Sequence, residues 1–353
     1  MFNQSIKVSN KVIDSKSPVF IIAEIGVNHN GEVELAKKMV DEAYEANVDA
    51  VKFQSFYPEE LLVESASKAP YQLNTTDVNE SQFEMLKKLM LTKEEMQELK
   101  LYVEQKGLIF LSTPFDEKSL YELNEMDIPA FKISSTDTTN LLFLKKAAKL
   151  GKPILLSTGM CTKEEVAEAL KVINATGNLD VILFHCTSNY PTPIDEVNMR
   201  AITSLSKEFQ VLMGYSDHTE GVGISPYTIP LGVKVIEKHF TLDKRMEGPD
   251  HLASLNKEEL IKLVEAIRFV ESSLGDSEKK PTNSEETTKK NMQKKLVLCK
   301  EVRQNDILTE DILTAKRSDI GIPANKVFNF LGKKVKSKLS KNHILTEDDV
   351  YES

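Results

Sequence analysis

Two histidines stand at the ends of consecutive apolar runs in the second half of the chain. His218 closes the run 210–218, and His239 lies near the end of the run 234–242. Strand side chains alternate between two faces, so Ser216 shares a face with His218. Neutral imidazole is a frequent ligand of divalent metals, and two histidines leave positions open for water and a substrate oxygen. The pattern suits a catalytic metal, but a histidine at a strand end more often only packs or donates a hydrogen bond, and spacing alone leaves both open.

Two lysines interrupt other apolar runs and indicate a site for anions. Lys52 and Lys132 lie where an ammonium group is rarely tolerated without an anionic partner. Hydroxyl groups at the ends of neighbouring runs come from Ser135, Ser157 and Ser216. Together these groups could hold a phosphate and a carboxylate. Two alternatives are a Schiff-base lysine and simple ion pairs of the lysines with Glu24 or Glu237.

A carboxylate occupies the first apolar run. Glu24 is flanked by apolar residues and is followed by a polar turn, 27–31. A carboxylate at this place can orient a sugar hydroxyl or act as an acid or base. It could instead be the structural counter-ion of Lys52.

These residues lie in or just after eight apolar runs that recur along the chain and are separated by helical stretches. The runs are 18–29, 48–56, 107–115, 130–135, 152–160, 181–188, 210–218 and 234–242. Eight buried parallel strands, each followed by a helix, are typical of a (β/α)₈ TIM barrel. In that fold the site lies where the strands end, so the polar ends of the runs should meet.

The rest of the chain divides around this barrel. We expect a catalytic barrel at 1–275, a linker at 276–295 that is almost devoid of apolar residues, and a small β-rich domain at 296–353. The longest gap between strands, 57–106, contains a polar, turn-rich segment at 69–82. Such an insertion serves as a substrate lid or binding loop, or is only a decorated surface loop.

Composition excludes several classes of function. The 353 residues carry a net charge of −9, which gives no positive field for nucleic acid or an anionic membrane. No apolar stretch approaches the roughly 18 residues of a membrane span, and the first residues are too polar for a secretory signal. Three widely spaced cysteines indicate reduced thiols. We therefore expect a cytoplasmic protein that binds neither nucleic acid nor membrane.

Several segments resemble the motifs of the sialic acid synthase family, which makes N-acetylneuraminate, legionaminate and pseudaminate. The resemblance covers nearly the whole chain and is carried by IAEIGVNHNG (22–31), VKFQ (51–54), LSTPFD (111–116), LSTGM (156–160), GYSDH (214–218), IEKHFT (236–241) and GPDH (248–251). The C-terminal part resembles the antifreeze-like, or SAF, domain of that family.

The resemblance implies a metal-dependent condensation of phosphoenolpyruvate with an open-chain N-acylated mannose-type sugar, without a Schiff base. His218 and His239 would bind Mn²⁺ or Mg²⁺, and Asp137 matches a carboxylate that acts as an acid or base. Phosphoenolpyruvate-binding and other substrate-binding positions are matched by Lys52, Thr113, Phe115, Lys132, Ser135, Ser157, Ser188 and Ser216. Sugar-binding positions are matched by Glu24, Gln54, Tyr190 and Asp250, and Arg317 would reach the sugar's N-acyl group across a domain-swapped homodimer.

The chain departs from the family pattern at the sugar end. Residues 132–137 read KISSTD where the family has a pattern like KIPSGE, and Arg317 is followed by Ser-Asp instead of Pro-Gly. The first expectation is an N-acetylneuraminate synthase acting on N-acetylmannosamine; the alternative is N,N'-diacetyllegionaminate synthesis from a 2,4-diacetamido-trideoxy sugar. The segment APYQ (69–72) resembles both branches. A synthase for phosphorylated sugars, or an inactive carbohydrate-binding relative, are more remote alternatives.

Overall fold

Eight parallel strands close into a barrel in the computed structural model of the chain. The structure describes residues 1–63, 66–69, 72–74, 76–77 and 79–351. An antiparallel hairpin precedes the barrel and consists of β1 (Ser5–Val8) and β2 (Lys11–Asp14). The barrel strands are β3 (Phe20–Gly26), β4 (Ala50–Ser55), β5 (Ile109–Pro114), β6 (Phe131–Ile133), β7 (Ile154–Ser157), β8 (Val181–His185), β9 (Leu212–Asp217) and β10 (Val233–His239). They follow one another in chain order, and β10 pairs with β3. The predicted (β/α)₈ barrel is confirmed.

Helices connect the strands and cover the barrel. They are α1 (Val33–Glu45), α2 (Pro58–Leu61), α3 (Gln82–Leu89), α4 (Lys93–Gln105), α5 (Glu117–Glu125), α6 (Leu141–Lys149), α7 (Lys163–Asn174), α8 (Arg200–Phe209), α9 (Ser225–Thr228) and α10 (Lys257–Ser273). Several of these helices begin with a capping box. At α10 the Asn256 side chain accepts from the amide of Glu259, and the Glu259 carboxylate accepts from the amide of Asn256. In the described part of the chain no helix has the length and apolar character needed to cross a membrane.

The barrel interior is filled by apolar side chains at the end where the strands begin. Phe20, Ala50 and Val235 belong to one buried cluster with Ile6 and Ile13 of the N-terminal hairpin. The hairpin therefore packs against the lower end of the barrel. The inner face changes from apolar to polar along each strand, so its polar side chains lie at the opposite end, where the strands finish.

The chain divides into two compact units, Met1–Leu274 and Gly275–Ser353. The segment 276–295, predicted to be a linker, contains helix α11 (Asn283–Met292) and the start of β11 (Lys294–Leu298). Thr282 and Glu285 form a capping box that begins α11, although no face of the helix is buried. Strand β11 pairs with β12 (Leu313–Arg317), and short bridges around them enclose a separate apolar core.

Candidate active site

A cavity of about 420 Å³ opens at the ends of the barrel strands. Fourteen of the residues predicted from the sequence line it: Glu24, Lys52, Gln54, Thr113, Phe115, Lys132, Ser135, Ser157, Ser188, Tyr190, Ser216, His218, His239 and Asp250. Because these residues come from all eight strands or the loops that follow them, the barrel itself assembles the site.

Two predicted residues are not part of this cavity lining. Asp137 lies in a 3₁₀ turn after β6, and its carboxylate accepts from the Asn140 side chain (3.1 Å) at the start of α6. The turn instead directs Ser134, Ser135 and Thr136 to the cavity. The structure therefore does not bring Asp137 to the other predicted catalytic groups. Arg317 is an exposed residue of β12 in the second unit.

Two lysines and two carboxylates form a buried charge cluster at the cavity floor. Lys52 Nζ lies 2.7 Å from Glu24 Oε2, and Lys132 Nζ lies 2.6 Å from Glu237 Oε1. Lys52 is also 3.9 Å from Glu237, which accepts a hydrogen bond from Ser216 Oγ (2.9 Å). The ion-pair alternative therefore describes both lysines in the absence of substrate. Glu237 was missed as a site residue. The available signal was that Glu237 and His239 are two positions apart on one strand and therefore share a face.

The two carboxylates of the cluster differ in their acidity. Burial raises the pKa of Glu24 above its ordinary value, and Lys52 offsets only part of that effect. Burial acts in the same direction on Glu237, but Lys132 and Lys52 together hold its pKa below the ordinary value. Glu237 is thus the permanent counter-ion of the lysines, whereas Glu24 is the carboxyl that can gain or lose a proton near neutral pH.

The two histidine rings face the cavity side by side, with their centroids 5.6 Å apart. His218 Nδ1 donates to the carbonyl oxygen of Thr187 (2.7 Å), so Nε2 of the neutral ring is an acceptor, and it lies 3.4 Å from Ser216 Oγ. His239 Nδ1 is buried and has no hydrogen-bond partner among the described residues. Burial lowers the pKa of both rings, that of His218 to about 4, so both are neutral.

Two neutral imidazoles with available nitrogens fit a divalent metal. The described residues contain no group of three or more histidine, cysteine, aspartate or glutamate side chains arranged to hold an ion. A metal bound here would leave its remaining positions to water and substrate, as catalytic sites require. Tyr190 packs beside the pair, with its ring centroid 4.2 Å from that of His218 and 5.6 Å from that of His239.

One end of the cavity is lined by hydroxyl groups. The amide of Gly159 donates to Ser135 Oγ (2.9 Å), and Cys186 Sγ lies 3.3 Å from the same oxygen. A Cβ at position 159 would stand 2.2 Å from Ser188 Oγ and 2.7 Å from Ser135 Oγ. Only glycine permits this close approach of backbone and hydroxyls. Together with Lys132, these donors suit a phosphate group.

The opposite end of the cavity combines a few polar groups with an apolar wall. Gln54 Nε2 donates to Glu24 Oε1 (3.1 Å), and burial raises the pKa of Asp250 to about 6. The wall consists of Val27, Phe56, Leu61, Leu62, Met85, Leu86 and Phe115. Four of these belong to the insertion 57–106, which agrees with its interpretation as a binding loop. Pro70 and Tyr71 of the APYQ motif lie outside the described residues.

Comparison with known proteins identifies the group to which this site belongs. The sequence profile of the NeuB family matches residues 39–279. The chain belongs to the NeuB family. Among NeuB relatives, the N,N'-diacetyllegionaminic acid synthase of Campylobacter jejuni is 46% identical over 329 residues, covering 93% of this chain and 98% of the relative.

More distant relatives are also synthases and also match over most of the chain. The human N-acetylneuraminate-9-phosphate synthase is 34% identical over 338 residues, covering 95% of this chain and 94% of that protein. A crystal structure of the N-acetylneuraminic acid synthetase of Leptospira borgpetersenii, in complex with citrate, matches with a TM-score of 0.74 and 33% identity. The match covers 81% of this chain and 95% of the Leptospira chain. As a NeuB-family protein whose relatives include named synthases, the chain is an enzyme of the sialic acid synthase family.

Proposed function

We propose that the enzyme condenses phosphoenolpyruvate with an N-acylated mannose-type sugar to a nine-carbon keto acid and inorganic phosphate. In this reaction C3 of phosphoenolpyruvate forms a bond to the aldehyde carbon of the open-chain sugar. Water adds at C2, the C2–O bond breaks, and phosphate leaves. The observation that carries the proposal is one cavity in which the lysine and serine donors lie beside two available imidazoles.

The residues of the cavity have distinct roles in this proposal. Lys52, Lys132 and the hydroxyls near Gly159 bind the carboxylate and phosphate of phosphoenolpyruvate. His218 and His239 would hold Mn²⁺ or Mg²⁺, which supplies Lewis-acid polarisation of the sugar aldehyde. Glu24, whose pKa is raised by burial, moves a proton at the sugar end, where Gln54 donates to its Oε1.

We favour a 2,4-diacetamido-2,4,6-trideoxymannose over N-acetylmannosamine as the sugar. The seven apolar side chains of the wall offer van der Waals contact to a C6 methyl group, whereas a C6 hydroxyl packed against them would lose its hydrogen bonds to water. A phosphorylated sugar is disfavoured, because Lys52 and Lys132 are the only cationic side chains among the described lining residues. Two N,N'-diacetyllegionaminic acid synthases, from relatives at 46% and 38% identity, support the same choice.

We also propose that the enzyme acts in the cytoplasm as a domain-swapped homodimer. Arg317 is exposed on β12 of the small second unit, whose resemblance to an antifreeze-like domain remains a prediction. The described lining of the barrel cavity contains no arginine. The guanidinium of Arg317 could donate hydrogen bonds to the carbonyl oxygen of the sugar's N-acyl group.

The test is phosphate release from phosphoenolpyruvate with each candidate sugar, with Mn²⁺ and with EDTA. We expect turnover with the trideoxy sugar, weaker turnover with N-acetylmannosamine, and none after EDTA treatment. Preference for N-acetylmannosamine would contradict the choice of sugar. Absence of turnover with every sugar, or full activity in EDTA, would contradict the proposed reaction.

A further inference from the structure

A buried ion pair lies directly behind the two histidines, on the side away from the cavity. Asp217 and Lys238 are register partners on β9 and β10, and Lys238 Nζ is 3.1 Å from Asp217 Oδ2. Their side chains are at most 1% exposed. Because each immediately precedes a histidine, Asp217 and Lys238 point to the opposite face from His218 and His239. Neither belongs to the described lining of the cavity.

The polar atoms of this ion pair are engaged by the turn that follows β9. Asp217 Oδ1 accepts from the amide (2.9 Å) and hydroxyl (2.7 Å) of Thr219, and Oδ2 accepts from the hydroxyl of Ser225 (2.6 Å). Lys238 Nζ also donates to the carbonyl oxygen of Thr219 (2.7 Å). His218 therefore sits between two residues, 217 and 219, that are both tied to the next strand.

The backbone closes tightly over the ion pair. A Cβ at Gly223 would lie 2.2 Å from Thr219 Oγ1 and 2.9 Å from both Asp217 Oδ2 and Lys238 Nζ. Gly223 also has a φ of +65°, which favours glycine. No side chain can enter this space without displacing the network.

A buried ion pair is a costly way to stabilise a fold. Removing two charges from water offsets much of their attraction, and well-packed apolar residues often stabilise as well or better. What the pair adds over apolar packing is directional geometry between β9 and β10. Groups that hydrogen-bond to a metal-ligating histidine orient it, and changing them weakens metal binding roughly 10- to 100-fold. This ion pair can orient both histidines through the backbone, and we take the same range for its effect.

We propose that the Asp217–Lys238 ion pair is a positioning element that sets the separation and orientation of the His218 and His239 imidazoles for a divalent cation. The inference rests on the proposed metal-binding role of the two histidines. The pair touches neither substrate nor metal, and it acts through the backbone of the two strand ends.

The test measures Mn²⁺ binding directly. The metal-free full-length protein is titrated with Mn²⁺, and free Mn²⁺ is followed by electron paramagnetic resonance. We expect Asp217→Asn and Lys238→Met each to weaken binding about 10- to 100-fold. The double variant should bind Mn²⁺ about as weakly as either single variant, because all three lose the same ion pair between β9 and β10. Affinity for phosphoenolpyruvate, measured by calorimetry without metal, should stay within about twofold of wild type, because the anion-binding donors are untouched.

Three further variants make the outcome decisive. Lys234→Met removes a lysine from the other end of β10, where its Nζ donates to the carbonyl oxygen of Ser17 (2.7 Å), and should bind Mn²⁺ like wild type. Ser225→Ala removes one hydrogen bond to Asp217 and should weaken Mn²⁺ binding severalfold even if the charge variants fail to fold. Lower melting temperatures with wild-type Mn²⁺ affinity would reduce the pair to a structural role and overturn the inference. Wild-type Mn²⁺ affinity in His218→Ala would instead overturn the proposed metal site itself.

Discussion

At the scale of single residues, the four buried charges at the cavity floor compensate one another in the absence of substrate. Lys132 and Glu237 lie 2.6 Å apart, and the side chains of both are at most 5% exposed. An incoming phosphate must therefore share Lys132 with a carboxylate that stays ionised. The arrangement pairs each lysine with a carboxylate before substrate binds and still offers two cations to an anionic substrate.

This compensation predicts different effects of Lys132→Met on stability and on binding. The variant leaves Glu237 buried and without its closest cation, which should cost about 3–5 kcal/mol of unfolding free energy. Adding Glu237→Gln should recover most of that loss, because no uncompensated charge remains. Neither variant should regain affinity for phosphoenolpyruvate. Urea unfolding measures the stability, and calorimetry measures the affinity for phosphoenolpyruvate; a double variant as unstable as the single one would contradict the pairing.

Gly159 gives a second prediction at this scale. In Gly159→Ala the new methyl group would stand 2.2 Å from Ser188 Oγ, so the hydroxyls of the anion site must move. We expect the KM for phosphoenolpyruvate to rise at least about tenfold, because a shift of the donors weakens charge-assisted hydrogen bonds. The KM for the sugar should change little. Combining the change with Ser188→Ala should relieve part of the clash, and no recovery in that double variant would argue against the geometry.

At the scale of elements, the apolar runs and their alternation were sufficient to predict the barrel. Every run ended in residues of the cavity, and the shared face of Ser216 with His218 was correct because barrel strands keep their alternation up to the last residue. Asp137 was different: it follows the strand, in a 3₁₀ turn whose direction no alternation determines.

Other elements were missed for identifiable reasons. The N-terminal hairpin has strands of only four residues, too short for a periodic signal, although it closes the lower end of the barrel. Helix α11 has no apolar face, and its capping box at Thr282 was the one available signal. The apolar wall depends on how α2 and α3 fold over the cavity, and such tertiary placement cannot be read from local sequence.

Helix α3 carries a prediction about the choice of sugar. Leu86→Lys places an ammonium group in the apolar wall, and kcat/KM for the trideoxy sugar should fall about tenfold or more through lost apolar contact and buried charge. The KM for phosphoenolpyruvate should stay within about twofold. The matched control is Leu101→Lys on α4, where the leucine is 51% exposed. Equal losses in both variants would show that the wall does not contact the sugar.

At the scale of the whole molecule, buried neutral histidines make the stability of the fold sensitive to acid. Burial lowers the pKa of His29 from 6.5 to about 4, and His185 and His251 shift in the same direction. Between these two pKa values the unfolded chain binds more protons than the folded one. The free energy of unfolding therefore falls as pH drops from 6.5 towards 4, by about 1.4 kcal/mol per pH unit for His29.

His29→Asn isolates one of these contributions. Between pH 7.5 and 5, urea unfolding in EDTA should show the free energy of wild type falling by about 2 kcal/mol more than that of the variant. Asparagine can still accept from the amide of Gly31, as His29 Nδ1 does at 3.0 Å, so the local turn is retained. Parallel pH profiles for the two proteins would mean that the pKa of His29 is the same in the folded and unfolded chains.

The proposed exchange of Arg317 between subunits can be tested by complementation. Arg317→Ala and Lys132→Met homodimers should each be inactive, because one lacks the guanidinium and the other lacks an anion-binding lysine. If Arg317 acts across the dimer, unfolding and refolding an equimolar mixture should restore about a quarter of wild-type activity: half of the dimers are mixed, and each of those carries one complete site. If Arg317 acts within its own chain, a mixed dimer has no complete site and the mixture stays inactive. Activity of the Arg317→Ala homodimer alone would remove the residue from the site altogether.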